Sequence, residues 1–557
     1  MAYPKRSAFL IAFTCIIVFS CTEVEKAPPP RPTVVVAKPE ELKPITTQNI
    51  IEVLDYALQN NGRIADTIQL SQVEAVAEFY KAHNYNPIWI ENQRWLPMAD
   101  SLMRFMDHAD EWGLLPSDYH IPNIHRLRNQ ISLDSTARLD AALWTRADLM
   151  YTDGFMQMLK DVKQGRIPRD SVTLRKDTVA GIVFFITRVD QALSAKTITP
   201  VFEALEPRQE GYRQLKSGLK TFLDSMDRTP HTYVVYPFRD SVAFIKQLQT
   251  RLFESSYITF NTRPADTAEL AAAIRKAETD LKIKVDGKFG NQLIKALNNT
   301  DREKFIRIAI NMDRYKQLPD SMPARYVFVN LPGFYMQVWD TDTINMESKV
   351  IVGGPLTRSP VLTSRITNFV TLPQWTVPGS IIFKEMLPRI QKDTMYLVKQ
   401  NLMVVDKNDS VISAGSVDWK KLNKNYFPYL LKQRQGDDNS LGVIKFNFDN
   451  KYSVYLHDTN ARSLFGRNNR ALSHGCIRVQ DWVNFSHYLI RNDSTRYPKD
   501  TVAAWITRKE KHWVSPSERI PIYIRYFTTI GREGRVKIYD DIYGDDKSLR
   551  EKYFRMP

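Results

Sequence analysis

The chain has 557 residues, a formal net charge of +15 and three cysteines. That length exceeds one hydrophobic core and sets a prior of about three or four domains. The basic charge suits anionic lipid headgroups or wall polymers, but the cations are scattered without an aromatic–basic signature, which argues against nucleic acid; three cysteines, two of them in the first 21 residues, exclude a disulfide framework.

Lys5 and Arg6 precede an apolar run from Ala8 to Phe19, then Ser20-Cys21. A charged start, a short apolar core and a small residue mark a secretory signal, and the run is short for a membrane span of about 20 residues. Val18-Phe19-Ser20-Cys21 resembles a bacterial lipobox, which makes residues 1–21 a lipoprotein signal peptide with Cys21 the lipidation site. An uncleaved N-terminal anchor is the alternative. Residues 22–47, with Pro28-Pro29-Pro30 and Pro32, read as a flexible tether. These features point to the cell envelope: a periplasm-facing protein held to a membrane by its N-terminus.

Residues 48–225 read as a helical scaffold. Val73, Val76, Phe79 and Tyr80, then Leu102, Phe105 and Met106, then Leu139, Leu143, Leu149, Phe155 and Leu159, recur at helical spacing. Breaks fall at Tyr85-Asn86-Pro87 and Leu115-Pro116-Ser117-Asp118. Residues 236–300 form a smaller unit: a helix with Ile245, Leu248 and Leu252, a second from Ile274 to Leu281, a turn at Asp286-Gly287, and a third with Leu293 and Leu297. This resembles the three-helix peptidoglycan-binding module. Ala277 and Glu278 stand where that module carries an aromatic residue and a glutamine, so glycan binding and a spacer role both stay open.

A connecting helix at 301–324, ending at Asn311-Met312-Asp313-Arg314-Tyr315, leads to a region of period two. Tyr326, Phe328 and Asn330 alternate with Val327, Val329 and Leu331, and Pro332-Gly333 turns the chain into Phe334 to Trp339. Further strands are expected at Ser348–Val352, Ile366–Leu372, Gly442–Phe448 and Ser453–His457. The region 325–510 is thus a β-rich domain, with 511–557 an extension after it. The segment 379–441, behind Pro373-Gln374-Trp375, interrupts the strands with helical patches at Ile381–Ile390 and Asp393–Gln400. Long connections of this kind serve as lids or binding loops, or simply decorate the sheet. The fold class is therefore α+β multidomain.

The chemistry gathers in Tyr455-Leu456-His457-Asp458-Thr459-Asn460 and Ser473-His474-Gly475-Cys476-Ile477-Arg478. Cys476 is the only cysteine beyond residue 21, so the mature chain offers it no partner. Glycine before it allows a tight turn with N–H groups free to face a ligand. An imidazole can take the thiol proton, and a fixed guanidinium can hold an anion. Zinc is a poor fit: one residue separates His474 from Cys476, and no second cysteine completes a set. No phosphate loop or dinucleotide fingerprint occurs, so no cofactor is implied.

His457, fifteen intervening residues, then Ser473-His474-Gly475-Cys476 and Arg478 resemble the signature of the L,D-transpeptidases with a YkuD-like catalytic domain. The helical scaffold, the three-helix module, the connecting helix and the 379–441 insertion resemble the large YcbB-like subgroup, in which such an insertion caps the substrate groove. The resemblance implies peptidoglycan stem peptides as donor and acceptor, and 3-3 cross-links formed through a cysteine thioester with release of D-alanine. Cys476 is then the nucleophile and His457 its general base, with oxyanion donors at Gly475 and Cys476. Arg478 holds a substrate carboxylate or braces the loop. Tyr455 and Trp375 line the pocket, and Asn460, Ser473 and His474 shape the loops. Hydrolysis of the same thioester, an L,D-carboxypeptidase activity, and a non-catalytic wall-binding lipoprotein are the rivals. Nothing in the sequence fixes an oligomeric state.

Overall fold

The computed structural model describes residues 29–169, 172–175, 180–498 and 500–554. The signal peptide, Cys21 and the start of the tether lie outside the described residues. The chain forms two compact units: Met1–Met106, Ser117–Met158 and Gly181–Ile198 make one, and Asp107–Pro116, Leu159–Ala180 and Thr199–Pro557 the other. Among the described residues no helix is long and apolar enough to cross a membrane.

The first unit is helical, as its periodicity predicts. Helices Leu42–Gln59, Val73–Ala82, Pro97–Asp107, Ile121–Leu133 and Ile182–Ala195, with the first turns of Ala141–Gln164, surround a core that buries Val76, Phe79, Tyr80, Leu102, Met106, Leu149 and Phe155. The tether is shorter than 22–47. Residues 42–47 already belong to a helix, and Val36 N–H donates to the Leu139 carbonyl while Asp140 Oδ1 accepts from Val34 N–H at 2.8 Å. Val34, Val35 and Val36 lie in a β-favouring run, and here that preference is satisfied by a short bridge of Val35 to Asp140.

Among the described residues the second unit holds four cores. Helices Ser241–Glu254, Thr267–Asp280 and Asn291–Leu297 enclose Phe244, Leu248, Leu252, Ile274, Ala277 and Leu293. Glu278 is structural. Its buried carboxylate accepts from the N–H groups of Asp286 and Gly287, at 3.0 and 2.8 Å, and so fixes the turn before the last helix. Helix Glu210–Ser225, which falls in the scaffold by periodicity alone, packs through Tyr212, Leu215 and Leu219 onto helix Asp301–Tyr315 and belongs to this unit.

The strands of the β-rich domain, numbered from its start, are β1 (Arg325–Asn330), β2 (Tyr335–Asp340), β3 (Thr343–Gly353), β4 (Leu362–Thr371), β5 (Trp375–Thr376), β6 (Leu402–Val405), β7 (Val411–Ile412), β8 (Leu430–Gln433), β9 (Ile444–Phe448), β10 (Leu456–His457), β11 (Ala471–Ser473), β12 (Ile477–Val479), β13 (Trp513–Val514), β14 (Pro521–Arg525), β15 (Thr529–Arg532) and β16 (Arg535–Ile538). The main sheet runs β9-β10-β12-β3-β2-β1-β14-β4-β13, and a further pairing of β9 with β4 closes it on itself. Val327, Val329, Met336, Val338, Phe446, Leu456 and Ile477 fill the interior.

Two boundaries change. The domain does not end at 510: β14 lies between β1 and β4, parallel to β1, so residues 513–525 complete the sheet. The 379–441 insertion also contains strands. Three of its strands extend β5, just before it, into a sheet β7-β6-β8-β5, and it has a core of Ile382, Leu387, Ile390, Val404, Trp419 and Leu431. Its helical patch Gly379–Ile390 is present, but residues Ile382–Met386 form a π-helical turn.

Candidate active site

Sheet register assembles the site. In the parallel pair β10–β12, His457 lies opposite Arg478 and Leu456 opposite Ile477. Leu456 and Ile477 point into the core, so His457 and Arg478 point outward, and by alternation so do Tyr455 and Cys476. On the other side, antiparallel β9 sets Lys445 opposite His457. Five polar or reactive side chains thus share one outer patch: Lys445, Tyr455, His457, Cys476 and Arg478.

Cys476 is a free, partly exposed thiol. Burial pushes its pKa up, while hydrogen bonds from the backbone and hydroxyl of Tyr455, and the charges of Lys445 and Arg478, pull it down. The Tyr455 hydroxyl is desolvated, with the Cys476 thiol and the Trp375 side chain as its polar neighbours. The Tyr455 and His457 rings meet edge to face at 5.6 Å, and Lys445 Nζ sits 4.1 Å from the Tyr455 ring centre. The thiol's cross-strand neighbour is therefore Tyr455, with His457 on the diagonal.

His457 is buried, and desolvation followed by the Arg478 charge brings its pKa down to about 3. The backbone of Asp458 and Leu441 pulls the other way, yet Nδ1 completes no hydrogen bond. The imidazole is neutral throughout the physiological range. With the thiol raised as well, the resting pair is thiol and imidazole, so a preformed thiolate, expected from an adjacent histidine, is not the resting state. Acylation is consequently expected to accelerate toward alkaline pH without a limb near 6.5. Second-order rates between pH 5 and 9 check this, and a limb near pH 6.5 that disappears in His457→Gln would contradict it.

Arg478 is largely desolvated, and its Nε is buried without a partner. A buried guanidinium with open donor capacity is a receptor for an anion, a carboxylate above all. Among the described residues its Nε makes no hydrogen bond to the loop.

The loop that presents Cys476 is tied down by its carbonyls. Ser473 O accepts from Gly354 N–H and Thr357 Oγ1 at 2.9 and 2.8 Å, Gly475 O from Ser359 Oγ at 2.7 Å, and Cys476 O from Ser473 Oγ at 2.5 Å. Gly475 has φ +120°, and the nearest atom to an added Cβ is 3.6 Å away, so conformation and not space requires glycine. One expectation changes: Gly475 N–H donates to Ser473 Oγ at 3.1 Å and is not free for an oxyanion.

His474 lies two residues before the thiol. Its exposed ring meets Glu385 at 2.7 Å, on the π-helical turn of the insertion. Such turns recur at functional sites. Asn460 Nδ2 donates to Asp438 O at 3.1 Å, near the insertion's far end. Glu385 and Asp438 therefore fasten the insertion to His474 and Asn460, two residues of the candidate catalytic segments. Asp458 is buried and structural: it binds Arg462 through both oxygens and accepts from Val443 N–H.

Sequence reasoning missed Lys445 and Glu385. Lys445 alternates with Ile444, Phe446 and Phe448 in an expected strand, so its outward direction was readable, but its pairing with His457 was not.

Residues 324–492 match the L,D-transpeptidase catalytic domain (YkuD), and residues 74–219 match the Scaffold domain. A Haemophilus influenzae protein whose name makes it a candidate L,D-transpeptidase is 34% identical over 244 residues, 44% of this chain and 48% of that one. The chain thus spans about half the length of the curated relative it matches. Two solved structures are also similar: a cysteine-to-serine mutant of an Enterococcus faecium L,D-transpeptidase (10% identity, 37% of this chain and 50% of that one, TM-score 0.17) and the Ldtfm–avibactam carbamoyl enzyme (12%, 56% and 98%, TM-score 0.18). At those scores neither carries an argument. Residues 324–492 are thus similar to the L,D-transpeptidase catalytic domain and residues 74–219 to the Scaffold domain, and the Haemophilus relative shares the same resemblance over 244 residues.

Proposed function

We propose that the protein forms 3-3 cross-links in peptidoglycan through a thioester on Cys476, and that it works at the periplasmic face of a membrane, held by lipid on Cys21. The observation that carries the reaction is the outer patch where an unpaired thiol meets Tyr455, Lys445 and Arg478, with a neutral imidazole on the diagonal.

Cys476 Sγ attacks the carbonyl carbon of the third residue of a donor stem peptide. The thiol proton passes to His457, the C–N bond to the terminal D-alanine breaks, and His457 returns the proton to the leaving amine. An acceptor amine then attacks the thioester carbonyl, the C–S bond breaks, and His457 takes the amine proton and passes it to the departing Cys476 sulfur. The Cys476 N–H stabilises the oxyanion, since that of Gly475 is engaged by Ser473. A substrate carboxylate against Arg478 offsets the charge that depresses His457, so binding raises the basicity of the imidazole when it is needed.

Water at roughly 55 M competes for the thioester, so transfer requires an acceptor at high effective molarity. The 379–441 insertion, fastened at His474 and Asn460, supplies the wall that holds the acceptor and limits water. Incubation with tetrapeptide-containing sacculi, followed by muropeptide analysis, is expected to give cross-linked dimers in excess of tripeptide. Replacing 379–441 by a short linker should shift that ratio toward tripeptide in a variant that still melts cooperatively. Tripeptide as the main product of the intact protein would favour the carboxypeptidase reading, and no product at all would leave wall tethering.

A further inference from the structure

A cavity of about 1080 Å³ opens on a different part of the second unit, and no residue of the catalytic patch lines it. That is the upper end of the range for small-molecule sites, about 300–1,000 Å³. Its floor is the outer face of β1–β3. While Val327, Val329, Met336 and Val338 point into the core, the alternate positions present Tyr326, Phe328, Tyr335, Gln337 and Trp339 to the cavity. Helix Glu210–Ser225 and the β15–β16 hairpin supply residues of the opposite wall.

Two features describe the ligand. The first is a held aromatic platform. Tyr326 and Trp339 are cross-strand partners whose rings lie 5.8 Å apart at an interplanar angle of 5°. Trp339 Nε1 donates to Gln337 Oε1 at 3.2 Å, and Gln337 Nε2 to Glu347 at 2.7 Å, so a relay of side chains fixes the indole. Flat rings with a negative face attract the C–H face of a pyranose, and the surrounding amides and carboxylates suit its hydroxyls. The second is charge. Basic and acidic side chains line the cavity in equal number, in a chain whose net charge is +15. A polyanion would call for an excess of cations. A neutral polymer with apolar faces and a polar rim fits instead.

We propose that this cleft binds a neutral sugar chain of the N-acetylhexosamine class. The choice of sugar rests on the cell-wall reading above; the platform and the charge balance do not. Arg470 and Gln480, on the rim, lie just before β11 and just after β12, so the cleft adjoins both ends of the segment that carries Cys476. A glycan held there keeps the enzyme on the polymer whose stem peptides it joins.

Titration of the purified protein with chitotetraose, by calorimetry and tryptophan fluorescence, tests the site. Saturable binding is expected, weakened roughly tenfold in Trp339→Ala and to a smaller extent in Glu347→Gln, which loosens the relay without removing a ring. Heparin should bind no better than chitotetraose. β-Lactam adduct formation at Cys476, measured on the same samples, should be unchanged. Absence of saturable binding, affinity that neither variant lowers, or preference for heparin would overturn the proposal. Sugar binding without any acylation would leave the cleft standing and remove the catalytic reading. Should Trp339→Ala fail to fold, Glu347→Gln decides.

Discussion

Cys476→Ala is expected to abolish acyl-enzyme formation while the fold survives. The thiol is small and only partly buried, so its loss opens little space. Intact-mass measurement after treatment with a carbapenem should show one adduct on the wild type and none on the variant; an adduct on the alanine variant would move the nucleophile elsewhere. His457→Ala should slow the same reaction by roughly 100-fold or more, the scale of a lost general base. Near-normal acylation in that variant would be surprising, because His474, the other histidine of the motif, is bonded to Glu385.

Asp148→Ala is expected to be the most damaging change in the scaffold. Asp148 is fully buried, and its carboxylate accepts from Tyr80 Oη at 2.5 Å, Ile88 N at 3.0 Å and Trp89 N at 2.9 Å. Thr152 extends the network to Tyr80 and to the Trp89 indole. Removing one carboxylate strands the backbone N–H groups of Ile88 and Trp89, while Tyr80 Oη keeps Thr152 and the Asp148 carbonyl; at about 1–3 kcal/mol for each lost partner, a loss on the order of 4 kcal/mol follows. Asp134→Ala, which removes an exposed cap on Thr136 N–H, should cost about 1 kcal/mol at most. Thermal melting of both variants checks the contrast, and similar melting points would contradict it. Burial raises the Asp148 pKa from 3.8 to about 6, against the pull of its hydrogen bonds. The folded state therefore holds its proton more tightly than the unfolded chain. The scaffold gives up stability as pH rises through that window, and Asp148→Asn should remove the slope.

Local patterns found what local physics determines. Helical periodicity located Phe79, Leu102 and Phe155 in the scaffold core, and strand alternation set Val327 and Val329 inward. The residues about Cys476 stood out because His457, Gly475, Cys476 and Arg478 are chemically legible at short spacing. Long-range pairing was not legible. Strand β14 lies about 200 residues after β1 in sequence yet pairs with it, and no periodicity in 513–525 reveals a partner. The insertion's strands, Leu402–Val405 and Leu430–Gln433, are too short to announce themselves after the helical patches. Lys445 became a site residue only through the register of β9 on β10, which turn chemistry and packing decide together. Gly475 was misread in one respect, because the Ser473 side chain that occupies its N–H folds back from within the same motif.

Everything proposed for the reaction depends on a thioester on Cys476 that carries the donor tripeptide. Rapid acid quenching of the protein with a disaccharide-tetrapeptide, followed by proteolysis and mass mapping, tests it most directly. The expected result is an acyl group of tripeptide mass on the Cys476 peptide, labile to hydroxylamine, with one D-alanine released for each acyl group formed. D-Alanine release with no acyl group on that peptide, or an acyl group mapped to another residue, would contradict it.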